Sequence, residues 1–382
     1  MNIHDFDDIR PFLPEELPAV YDRLLADPEF QQALAYVYQG VPFEKLAAIV
    51  RSSATNLEFQ QKVVYPMLQN LLANASKGLS KNFSAIDTGR NYTFVSNHRD
   101  IVLDSAFLSV ALIESGFNTV EIAIGDNLLI RPWIKDLVRV NKSFIVQRSL
   151  PMRQLLLASA KMSRYMHFCI NEKHENIWIA QREGRAKDSD DRTQDSVLKM
   201  MALGGDLRQL NIVPLAITYE YDPCDYLKAQ EFQCKRDIEG WKKAPQDDLD
   251  NMRTGIFGPK GRIHYHAAPC INDWLDTLPA DMPKADYFRA VAEHIDHEIH
   301  SHYHLYAGNY IAADLLALRS FPAKSSYSSH YTPAEKQAFE AYVEKKLSMV
   351  TIPNPDYDFL RERILTMYAN PLFNQEKALH EN

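Results

Sequence analysis

Apolar residues recur at three- and four-residue spacing through "PEELPAVYDRLL" (14–25), "PEFQQALAYVY" (28–38) and "NLEFQQKVVYPMLQNLLANA" (56–75), with prolines near the starts. That period gathers the apolar positions on one helical face, so 1–88 reads as an N-terminal helical region. The rhythm changes at "DTGRNYTFVSN" (87–97), a turn followed by a short β-prone run at 92–96. Further β-prone runs follow at "NTVEIAIG", "KSFIVQR", "NIWIAQREG", "NIVPLAITYEY" and "GRIHYHAAPCI". Helical patterns separate them, notably "IVLDSAFLSVALIES", "LPMRQLLLASAKMSRYM" and "QDSVLKMMALGGD". Strands alternating with helices predict an α/β layer structure over 89–275. The polar stretch "KRDIEGWKKAPQDDLDN" (235–251) reads as a loop or exposed helix inserted before the last strand. The pattern is helical again from about 285, so 276–382 is read as a C-terminal helical region, with "FPAKSSYSSHYTP" (321–333) as a linker inside it. There is no internal repeat and no low-complexity tract.

Composition adds bounds. A chain of 382 residues, 46% apolar and 24% charged, is that of an ordinary globular protein able to build one large core or two modest ones. Cys169, Cys224, Cys234 and Cys270 form no C-x-x-C pair and read as reduced core thiols of a cytosolic protein. The acidic start "MNIHDFDDIRPF" lacks the basic and apolar regions of a signal peptide. No window reaches the run of about 18–20 apolar residues that a spanning helix needs. A net charge of −8 argues against nucleic acid as a partner.

That average hides a reversal. Between 131 and 164 stand Arg131, Lys135, Arg139, Lys142, Arg148, Arg153, Lys161 and Arg164 against the single anion Asp136, a local charge of +7. The cations are interleaved with Trp133, Leu137, Val138, Phe144, Leu155, Leu156 and Leu157. Mixed cationic and apolar groups suit an anionic lipid surface, at about 1 kcal/mol per Lys or Arg, or an acidic carrier protein.

The densest chemistry lies in "NHRDIVLDSAFL" (97–108), at the mouth of an apolar run. As a kinase catalytic loop, His98-Arg99-Asp100 requires asparagine five positions after the aspartate. Ser105 stands there, and neither a Gly-rich strand-turn nor D-F-G accompanies it. A second reading places His98 at the end of a short strand and Asp104 near the first turn of the following helix. The carboxylate then fixes the imidazole tautomer, and the free ring nitrogen takes a proton from an attacking hydroxyl or amine. Asp104 is favoured as the orienting acid because Asp100 is only two residues from His98 and diverges from it on a helix; Asp100 stays open as the alternative.

This stretch and those after it resemble the glycerolipid acyltransferases, the family of glycerol-3-phosphate and lysophosphatidic acid acyltransferases. Their first block is N-H-x-x-x-x-D; here Asn97 and His98 match and the aspartate comes one place late, at Asp104. "GDNLLIRPWIKDLVRVNKSFIVQRS" resembles the second block and points to Gly125 and Arg148. "IWIAQREGRAK" resembles the third, E-G-x-R, with Glu183 and Gly184, Arg185 one place early, and Arg182 where proline is usual. "NIVPLAITYEY" with Pro214 resembles the fourth, and "GRIHYHAAPCI" with Pro269 the closing strand. The resemblance spans about 92–272.

What it implies is an α/β fold with a mixed central sheet flanked by helices, helical extensions at both ends, and peripheral residence on the cytoplasmic membrane face. The implied reaction moves a fatty acyl group from an acyl thioester, acyl-CoA or acyl-carrier protein, to a hydroxyl of a glycerol phosphate or lyso-lipid. His98 is then the base and Asp104 its orienter. Arg148, Glu183, Gly184 and Arg185 hold the polar part of the acceptor. No metal or resident cofactor is required. The altered third block leaves open an amino-acid lipid as acceptor. The competing readings are a hydrolase, disfavoured by the lack of a G-x-S-x-G elbow, and a membrane-surface binding protein with a degenerate site.

Two histidine groups stand apart. His294, His297, His300, His302 and His304 fall in eleven residues but miss the H-E-x-x-H spacing, so they read as an exposed helix end. His264 and His266 alternate on a strand and read as surface or sheet residues.

Overall fold

A computed structural model of the chain describes residues 1–318 and 326–380. Among them, seven strands form one sheet: β1 (Leu79–Asn82), β2 (Thr93–Ser96), β3 (Val120–Gly125), β4 (Ser143–Val146), β5 (Asn176–Ala180), β6 (Ile212–Tyr219) and β7 (Ile263–Ala267). Their spatial order is β1-β7-β6-β2-β5-β3-β4. Strands β6, β2, β5, β3 and β4 run parallel, whereas β7 pairs antiparallel with β6 and β1 runs parallel to β7 at the edge. The sheet is mixed and helices cover both faces, the α/β architecture that the alternating pattern predicts.

Coverage on both faces explains the near-continuous apolar strands, whose alternate residues enter opposite layers. Phe94, Trp178, Val213, Leu215 and Ile217 pack with the Leu103–Ile113 helix. Val95, Ile177, Ile179, Ile212 and Ala216 pack on the other face with the Met152–Asn171 and Lys284–Ser301 helices. The chain therefore leaves β2 along one face and returns to β5 along the other. The carboxyl ends of the parallel strands meet at one edge, the edge at which open α/β sheets collect ligands.

Two expectations need correction, while 235–251 is the loop and exposed helix expected there. The region read as helical through residue 88 contains β1, which pairs with β7 in the register Leu79 opposite Ile263; "LSKN" carries no alternation to announce a strand. The stretch 235–251 closes one helix, Asp225–Asp237, and opens another, Pro245–Phe257. The His-rich end is not exposed as a whole: His300 is buried and donates from Nε2 to the Asp191 carbonyl at 2.9 Å. His302 and His304 pack on His266 and His264 with ring centroids 4.2 and 4.8 Å apart. Residues 321–325 of the expected linker lie outside the described residues. No helix of the described residues is long and apolar enough to cross a membrane.

Candidate active site

The site begins where β2 leaves the sheet. The buried Asn97 side chain exchanges two 2.8 Å hydrogen bonds with the backbone of Ile217 on β6, Nδ2 donating to its carbonyl and Oδ1 accepting from its amide. This side chain stands in for a backbone ladder and fixes the chain one residue before His98. Asp100 then caps the Leu103–Ile113 helix, its Oδ1 accepting from the amides of Val102 (2.9 Å) and Leu103 (2.8 Å). Asp104, in the first turn, reaches back, its Oδ2 accepting from the amides of Arg99 (2.6 Å) and Asp100 (3.0 Å). Two carboxylates thus satisfy four amide donors at the positive end of one helix, where negative charge is favoured.

The same Asp104 Oδ2 lies 2.8 Å from Nδ1 of His98. A carboxylate only accepts, so the imidazole proton sits on Nδ1 and Nε2 keeps its lone pair. The one-residue excess between His98 and Asp104 is taken up by the loop before the helix. Asp100 turns its carboxyl to the capping amides, and its second oxygen faces Gly255 on the Pro245–Phe257 helix, where a Cβ would stand 2.1 Å from it. Burial, then the neighbouring Asp104, pushes the Asp100 carboxyl above the usual carboxylate range. His98 rests edge-on against Trp178 at 5.5 Å, and the indole is held by a 2.9 Å hydrogen bond from Nε1 to Ser96 Oγ. The His98 side chain remains 14% exposed, enough to be reached from outside.

The expected basic residues divide. Gly125 ends β3 and Arg148 follows β4, with the guanidinium 3.6 Å from where a Gly125 Cβ would lie. Arg148 is exposed and meets Glu183 at 3.4 Å, and its backbone amide donates to Asp126 Oδ1 at 3.1 Å. Gly184 has a φ of 68°, the left-handed turn that favours glycine. That turn directs Arg185 inward: it is buried, Nη2 donates to Asn251 Oδ1 at 3.2 Å, and Nη1 has no partner. Its charge acts on Asp100. Arg148 thus presents its guanidinium outward, whereas that of Arg185 is buried.

The +7 segment is also corrected. Arg139 is buried, donating to the carbonyls of Arg10 and Asp7 at 2.8 Å each. Lys142 is buried on Thr119 and Glu175. Lys161 pairs with Asp8 and Arg131 with Glu29. Arg131, Lys135, Arg148, Arg153 and Arg164 stay exposed, and at the start of the Met152–Asn171 helix Leu156 and Leu157 are 65% and 71% exposed.

Three features escaped the sequence reading. Tyr219, at the end of β6, donates its hydroxyl to Asp104 Oδ1 at 3.0 Å. Tyr265 on β7 donates to the Asp104 carbonyl at 2.9 Å. Arg99 points away from the dyad, to Asp191 (2.8 Å) and Ser189 (2.6 Å), and neighbours the buried Asp222–Lys228 pair. Although burial opposes it, the Lys228 and Arg99 charges hold the Asp222 carboxyl well below its ordinary range. The one available signal for Tyr219 was a hydroxyl-bearing aromatic at the carboxyl end of a strand bordering the histidine strand.

Compared with known proteins, the chain matches no family model and no curated protein. Among solved structures it is similar to the 1-acyl-sn-glycerophosphate (LPA) acyltransferase PlsC from Thermotoga maritima, with a TM-score of 0.37 and 11% identity over 74% of this chain and 95% of that one.

Proposed function

We propose that this chain is an acyltransferase that moves a fatty acyl group from an acyl thioester, acyl-CoA or acyl-carrier protein, to a hydroxyl of a glycerol phosphate or lyso-lipid. The observation that carries the reading is the His98–Asp104 pair, oriented through Nδ1 and placed at the carboxyl ends of the parallel strands. In this reading Nε2 of His98 takes the acceptor hydroxyl proton as its oxygen attacks the thioester carbonyl. Asp104 stabilises the imidazolium that forms. The tetrahedral intermediate collapses with cleavage of the C–S bond, and the imidazolium returns the proton to the departing thiolate. General-base assistance of this kind contributes about 10²–10⁴ in rate. Arg148, exposed just after β4, meets Glu183, and an acceptor phosphate competes with Glu183 for it; a phosphate offers the stronger, bidentate partner. Gly184 leaves the backbone open on the same side, while Arg185 adds positive charge from beneath.

Peripheral membrane docking belongs to the same proposal. Leu156 and Leu157, one helical turn from Arg153, suit the boundary between lipid headgroups and acyl chains. The test uses the full chain with palmitoyl-CoA and oleoyl-lysophosphatidic acid or glycerol 3-phosphate, following thiol release and the acylated product by mass spectrometry. Acceptor-dependent thiol release that His98→Ala abolishes is expected. Release without an acceptor would mark a hydrolase, and no turnover with either thioester donor would overturn the enzymatic reading.

A further inference from the structure

The two oxygens of Asp104 are used unequally. Oδ2 receives three donors, the amides of Arg99 and Asp100 and Nδ1 of His98. Oδ1 receives one, the Tyr219 hydroxyl at 3.0 Å. Asp104 is buried, so no other donor replaces Tyr219 without a rearrangement. The phenol is firmly a donor: burial, then Tyr265 and Asp104, keep it neutral far above ordinary pH. Tyr219 is itself well placed to hold still. It closes β6, its backbone pairs with Ile263 on β7, and it lines a small pocket with Asn97, Ile217, Thr218 and Tyr306. β6 also carries Ile217, the anchor of Asn97, so one strand fixes both the histidine loop and its carboxylate.

We infer that Tyr219 is a positioning residue of the dyad, its hydroxyl setting the plane of the Asp104 carboxylate so that Oδ2 stays aligned with His98 Nδ1. The inference rests on the acyltransfer reading for its kinetic consequence but not for its structural one. Without the hydroxyl, Oδ1 is left bare in a buried site, and the carboxylate gains by rotating toward any donor that can reach it. Rotation pulls Oδ2 off the imidazole. A hydrogen bond to a charged group is at stake, which corresponds to about a tenfold loss of rate.

The test is Tyr219→Phe in the full chain. With palmitoyl-CoA and oleoyl-lysophosphatidic acid, kcat is expected to fall about tenfold while both KM values stay within about twofold, because no substrate contact is removed. Histidine-selective ¹⁵N labelling supplies a readout that needs no turnover. The Nδ1–H resonance of His98, assigned by its loss in His98→Ala, is expected to move upfield in Tyr219→Phe. Incorporation of 3-fluorotyrosine at position 219 keeps the hydroxyl, makes it a stronger donor, and decides the matter should the phenylalanine variant fold poorly: the resonance must then shift without loss of stability. An unmoved resonance in both proteins overturns the inference. A wild type that turns over no thioester while the resonance responds overturns the acyltransfer reading alone.

Discussion

Replacing Asp104 by asparagine, against the matched change at Asp100, separates the two carboxylates that crowd His98. At Asp104 four donors converge: the amides of Arg99 and Asp100, Nδ1 of His98 and the Tyr219 hydroxyl. An asparagine there survives best with its oxygen in place of Oδ2 and its amide nitrogen toward Tyr219, which must then turn its hydroxyl. Geometry is largely kept and charge is lost. Each remaining bond drops from the charge-assisted to the neutral class, about 1 kcal/mol apiece. Relief of repulsion with Asp100 and of burying a charge offsets part, leaving a net destabilisation of about 2 kcal/mol. Activity is expected to fall by about 10²–10⁴, because the imidazolium of the proposed acyl transfer would lose its counter-charge. At Asp100 the result differs. Its carboxyl is already pushed toward the neutral form by burial and by Asp104, and an amide keeps the oxygen that accepts from Val102 and Leu103. Asp100→Asn is therefore expected to cost about 1 kcal/mol or less in stability and about twofold or less in rate. The assays are urea unfolding and acceptor-dependent thiol release. Equal losses of activity in the two variants, or Asp104→Asn retaining a tenth of wild-type rate, would refute the assignment of Asp104 as the orienting acid.

Three further outcomes follow from the same coordinates. Gly255→Ala puts a methyl 2.1 Å from Oδ2 of Asp100, whose carboxylate is held through Oδ1 by two capping bonds, so unfolding should become easier by about 1–3 kcal/mol; an unchanged urea midpoint would mean that the cover helix yields freely. Leu156→Ser and Leu157→Ser should each weaken binding to phosphatidylcholine–phosphatidylglycerol vesicles about tenfold with no loss of stability. Unaltered cosedimentation would move the docking surface elsewhere, and loss of acyl-carrier-protein binding instead would reassign the patch to that partner. Burial, then His304 and His302 respectively, pushes His264 and His266 down to about 4 from 6.5. The unfolded chain then binds more protons between those values, so stability is whole above pH 6.5 and is lost as pH falls toward 4. Urea midpoints at pH 7.5 and pH 5 should converge in the His264→Gln/His266→Gln double variant; Asp296, pushed up to about 6 by burial, acts in the opposite sense in both proteins and cancels from the comparison. An undiminished pH dependence would place the acid sensitivity in other groups.

What the sequence made legible was what local period and order encode. Six of the seven strands fall on runs where apolar residues are continuous or alternate, and the helix carrying Asp104 follows the histidine strand after one short loop. β1 was invisible for a physical reason: "LSKN" buries little, and its strand partner among the described residues, β7, lies some 180 residues away. The charge run misled for a related one. A count of cations along the chain takes no account of partners, and Arg139 and Lys142 are satisfied by groups on the N-terminal segment and on Thr119 and Glu175.

The choice between Asp100 and Asp104 shows where local reasoning ends. Helical spacing alone disfavours Asp100, yet it says nothing of where a six-residue loop will carry His98. That is settled from β6, 120 residues downstream, which pins Asn97 through the backbone of Ile217. Once Asn97 is fixed, the two acids share the loop's amides, Asp100 serving those of Val102 and Leu103 and Asp104 those of Arg99 and Asp100. Nδ1 of His98 then takes up a further lone pair on an oxygen already committed. The dyad is thus the by-product of a capping problem solved with two acids instead of one. Residues 99–103 give each acid its own pair of amides. Deleting one loop residue would therefore cost a cap and pull Asp104 out of register with His98.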